Sequence, residues 1–158
     1  MAAERVVKIS LLVPNHGNTE SLALLAAVAE KAFVQVDTNS VNEVFQAAWG
    51  SISLALMEYR RGNWSGAISW AGRCLSLGGD VPPRVATAHV LLAMADQQLH
   101  RHEEARIEFG DARARIDNKF KSGLERGDGP QGFWFDWVFA RVLLGEAQNM
   151  MEEKNHHE

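Results

Sequence analysis

Gly62-Asn63-Trp64-Ser65-Gly66-Ala67 and His100-Arg101-His102-Glu103-Glu104-Ala105 are the two stretches that decide the fold. Laid over one another with Ala67 on Ala105, they lie 38 residues apart. The same offset pairs Leu54 with Leu92, Ala55 with Ala93, Glu58 with Asp96, and Cys74 with Ala112. Small residues recur where two helices of a hairpin must approach closely, and larger ones recur beside them. One hairpin written twice is the sequence signature of a helical solenoid.

Working outward, the segments on either side of these stretches read as helices. Leu54, Ala55 and Met57, then Ala67, Ile68, Ala71, Cys74 and Leu75, carry apolar residues at spacings of three and four. Leu92, Ala93, Ala95 and Leu99, then Ala105, Phe109, Ala112 and Ile116, repeat that spacing. The intervening positions are rich in Ala, Leu, Glu, Arg and Met, which favour helix. Pro14, Pro82, Pro83 and Pro130, with Gly78-Gly79-Asp80 and Gly127-Asp128-Gly129, fall where helices should start or stop. The pattern predicts seven helices at roughly 3–12, 18–36, 41–61, 64–78, 83–100, 102–121 and 132–153. For the first, β-branched Val6, Val7, Ile9 and Val13 leave a short strand as the alternative. The expected architecture is all-α. It is one domain over 1–153, with hairpins at about 43–78 and 83–120, a capping helix at about 132–153 and a polar tail at 154–158.

At these residues the chain resembles the tetratricopeptide repeat (TPR) family, whose unit of about 34 residues is a pair of antiparallel helices. Gly62-Asn63-Trp64 followed by Ala67-Ile68 is similar to the family's turn between its two helices. The longer period here fits the Gly78–Pro83 connection. Ser51 and His89 stand where the family favours a large apolar residue, Glu58 and Asp96 where it favours an aromatic, and Gly79 where it favours proline. A narrower resemblance rests on Leu56 to Trp64, Ala88 to Ala95, Trp134-Phe135-Asp136-Trp137 and Glu146-Ala147. These are similar to the carboxy-terminal TPR segments of bacterial serine/threonine kinases of eukaryotic type, which follow the kinase domain and recruit partners. The chain carries no glycine-rich phosphate loop, strand lysine, catalytic loop or Asp-Phe-Gly motif of its own. The resemblance implies a short right-handed superhelix that serves as a bacterial interaction scaffold.

Composition narrows the function classes. A hydrophobic fraction of 46% with 23% charged residues is that of an ordinary globular protein. The net charge of -4 and scattered basic residues argue against nucleic acid as a partner. The longest apolar run, Leu22 to Ala29, is too short to span a bilayer. No cleavage-site pattern follows the amino terminus, and a single cysteine excludes an internal disulfide, so a cytoplasmic setting is expected.

Candidate chemistry is sparse. His100 and His102 sit at a helix-to-helix turn without a spaced third ligand, and a solvated turn is the plainer reading than a metal site. His156 and His157 belong to the polar tail. Cys74 shares its repeat position with Ala112 and reads as an inert core thiol rather than a nucleophile. Glu58 and Asp96 recur at equivalent places but lack a legible pocket that would separate their pKa values. No catalytic, cofactor or metal residue is expected, and an enzyme is not. The cluster Phe133, Trp134, Phe135, Trp137 and Phe139 reads chiefly as packing, with Trp137, Ala140, Leu144 and Ala147 forming one stripe toward the last hairpin.

The expected function is binding of a protein or peptide on a concave face formed by the first helix of each pair. That face carries Trp49, Ile52, Ser53, Leu56, Tyr59 and Arg60, then Thr87, Val90, Leu91, Met94, Gln97 and Gln98. Trp49, Tyr59 and Arg60 are the expected hot spots, large and partly exposed, with Met94 and Gln98 as adaptable contacts. Filling of the groove by flanking helices is the competing reading. The structural rival is a self-associating appendage of a bacterial serine/threonine kinase system, whose apolar face is self-complementary.

Overall fold

In the computed structural model, residues 11, 12, 37, 39–124 and 134–155 are described. They form helices α1 (Val41–Arg60), α2 (Trp64–Ser76), α3 (Pro82–Gln98), α4 (His102–Ser122) and α5 (Trp134–Asn155). Among the described residues there is no strand, so the chain is all-α there. The expected helices at 3–12 and 18–36 lie outside the described residues, except that Leu11 and Leu12 have helical backbone. Most of the Lys121–Gln131 segment and the tail beyond residue 155 also lie outside them. The chain divides into two compact units, Met1–Asp80 and Val81–Glu158.

Local chemistry sets the helix ends. The amide of Glu43 donates to Ser40 Oγ at 3.4 Å, and the Glu43 carboxylate accepts from the Asp37 amide at 3.0 Å, which satisfies donors at the start of α1. Asn63 does the same for α2, accepting from the Gly66 amide at 3.1 Å. Pro82 and Pro83 open α3 in the first turn, where an amide would have no helical acceptor anyway.

The two turns inside the hairpins match bond for bond. In the first, Arg61 donates to Met57 O at 3.1 Å, Gly62 to Tyr59 O at 3.0 Å, Asn63 to Glu58 O at 2.9 Å, and Ala67 to Asn63 O at 3.0 Å. In the second, Leu99 donates to Ala95 O at 3.1 Å, His100 to Gln97 O at 3.2 Å, Arg101 to Asp96 O at 2.9 Å, and Ala105 to Arg101 O at 2.9 Å. Each bond joins residues one sequence period on from its counterpart. The pivot is left-handed in both, at φ 78° for Gly62 and 61° for His100. Glycine adopts that region freely, whereas histidine does so at a cost.

In the first unit α1 packs against α2. Every residue from Ala47 to Tyr59 is buried, so α1 is enclosed on all sides rather than along one stripe. The second helix contributes Ala67, Ala71 and Cys74, small residues that let the two backbones come close. The second unit repeats the scheme. Its α3 is enclosed over most of its length, and α4 contributes Ala105, Ala112 and Ile116. Helix α5 then packs mainly on α3 and also on α4, burying Trp137, Phe139, Ala140, Leu143, Leu144 and Ala147.

Candidate partner-binding faces

The residues expected to line a concave face are placed mostly in the cores of their units. Trp49 and Tyr59 are each only 8% exposed, which corrects the expectation that they stand partly open as hot spots. Ile52, Leu56, Val90, Met94, Thr87 and Leu91 are fully buried, and Ser53 and Gln97 are buried as well. Only Arg60 and Gln98 are half-buried. The physical reason lies in α1 and α3 themselves. Neither has a polar stripe opposite its apolar one, so each is surrounded instead of offering a side to a ligand.

Arg60 is already engaged. Its guanidinium donates from Nε to Leu11 O at 2.8 Å and from Nη2 to Leu12 O at 3.2 Å. It also lies 5.6 Å from the centre of the Tyr59 ring. A planar cation with a fixed fork of donors suits two successive carbonyls well. Leu11 is buried, so this contact ties the amino-terminal part of the first unit to α1.

The titratable residues close turns and join helices. Glu58 accepts from Arg61 Nη1 at 2.8 Å and from Asn63 Nδ2 at 2.6 Å. Asp96, its repeat counterpart, lies 3.6 Å from Arg101 Nη1. Burial pushes the Asp96 carboxyl above its ordinary range, opposed by Arg101 and reinforced by the charges of Glu108 and Glu104. His89 Nδ1 meets Glu108 Oε2 at 2.5 Å, and His102 Nδ1 donates to Gln97 Oε1 at 2.9 Å, so both histidines bind α3 to α4. The rings of His100 and His102 meet edge to face at 5.9 Å. Among the described residues no group of three or more His, Cys, Asp or Glu side chains is placed to hold a metal ion. No helix there is long and apolar enough to cross a membrane. Cys74 is buried within α2's packed face.

Two features fall outside the sequence expectations. Arg84, in the first turn of α3, is 1% exposed, although an arginine just after two prolines reads as a solvent-facing residue. The second is the outer side of α5. Trp134, Val138 and Val142 are 51%, 37% and 45% exposed and stand four residues apart. Gly145 continues their line, exposed, and a Cβ built on it meets nothing within 4 Å.

Val142-Leu143-Leu144 repeats Val90-Leu91-Leu92, with Ala140 and Ala147 in the places of Ala88 and Ala95. Helix α5 thus carries part of the apolar pattern of α3. In α3 the face of His89 and Gln97 meets α4 through the two bonds above. Ala86, Val90 and Ala93 on the same side are fully buried. The corresponding residues of α5, namely Val138, Arg141, Val142, Gly145 and Asn149, are all exposed. Arg141 covers the Phe120 ring at 5.1 Å and hydrogen-bonds Asp117, and that bond, helped by Arg113, holds the Asp117 carboxyl below its ordinary range. Comparison with protein-family models, with curated proteins and with solved structures finds no match to this chain.

Proposed function

We propose that this protein is a non-catalytic helical-repeat module of the tetratricopeptide type that binds another polypeptide. The observation that carries the reading is the bond-for-bond identity of the two hairpin turns at the sequence period. Solenoids built from such hairpins bury one helix face against the next unit and present the remainder to ligands. The resemblance to segments that follow bacterial serine/threonine kinases supplies a setting, recruitment of a partner beside a kinase domain.

The binding surface in this reading is the outer side of α5. An apolar stripe of Trp134, Val138 and Val142 remains exposed there, whereas α1 from Ala47 to Tyr59 and most of α3 are enclosed. Trp134 is the anchor, because aromatic residues carry most interface energy. The test is affinity capture from a cell extract with the wild-type chain and with Val142→Glu, each folded by circular dichroism. The module reading expects a protein retained by the first and lost by the second. Equal retention by both chains moves the binding surface away from α5.

A further inference from the structure

We draw no further inference here: the strongest candidate, the apolar patch of Trp134, Val138 and Val142 on the outer side of α5, belongs to the binding surface already proposed, and nothing in the structure shows what covers it.

Discussion

The left-handed pivot of the two hairpin turns supports an experiment with opposite outcomes at equivalent positions. Gly62 sits at φ 78° and a Cβ added to it meets nothing within 4 Å, so Gly62→Ala introduces backbone strain without collision. Holding a non-glycine residue in that region costs ~1–2 kcal/mol. Glycine's greater freedom in the unfolded chain returns part of this, and substitution at such a site still destabilises by about 1 kcal/mol or more. His100 occupies the same conformation at φ 61° with a side chain in place. His100→Gly removes that strain at an entropic cost of roughly 0.5–1 kcal/mol, for a net gain of up to about 1 kcal/mol. The edge contact to His102 is lost as well, but at a solvated turn it contributes little. At about 2–4 °C per kcal/mol for a chain of this size, Gly62→Ala should lower the melting midpoint by ~2–6 °C. His100→Gly should raise it by up to ~4 °C. Thermal and urea unfolding followed by circular dichroism decide the matter. A neutral Gly62→Ala together with a destabilising His100→Gly would refute the view that one strained turn is used twice.

Three other substitutions follow from the packing. Trp137→Ala, which empties a buried site between α5 and the hairpin beneath it, should cost ~3–5 kcal/mol, whereas the exposed Trp134→Ala should stay within about 0.5 kcal/mol; equal costs in urea unfolding would contradict the assigned faces. Arg60→Ala leaves the Leu11 and Leu12 carbonyls without their donor and should cost ~1–3 kcal/mol, lowering the urea midpoint rather than only affecting a ligand. Asp96→Asn bears on pH. The folded carboxyl holds its proton more tightly than the unfolded one, so the stability tied to this group is fullest below the ordinary value of 3.8 and declines as pH rises through the raised folded value. The variant should melt above the wild type at neutral pH, with the difference closing toward pH 3; parallel melting profiles across that range would contradict it.

Much of the secondary structure was legible because it depends on local order. Spacings of three and four around Ala67, Cys74, Ala105 and Ala112 marked the closely packed sides of α2 and α4, and all four side chains are buried. The turn residues gave the period, and hydrogen bonding at Glu58–Ala67 and Asp96–Ala105 follows it. Exposure was not legible. Periodicity identifies a face that must leave water, but it does not name what covers that face, and so Trp49 and Tyr59 were expected to be partly exposed. In α5 two apolar lines interleave. The line of Trp137, Ala140, Leu144 and Ala147 satisfied the expectation of a cap and hid the second line of Trp134, Val138 and Val142. A helical projection of 134–149 separates the two. Burial of Arg84 has no signal in sequence at all, because an arginine in a first turn faces solvent by default.

The sole cysteine has a use that its inertness makes possible. Cys74 is enclosed within the first unit, and a thiol reagent can reach it only when that unit opens. The rate at which a dilute aromatic disulfide modifies the protein therefore times excursions of the first unit alone. Amide exchange in α3 times those of the second unit. Where opening is fast compared with chemistry, the labelling rate yields an equilibrium for local opening, and where it is slow it yields the opening rate itself. One native side chain thus acts as a clock for half the molecule, without mutation and without a probe to disturb the packing around it.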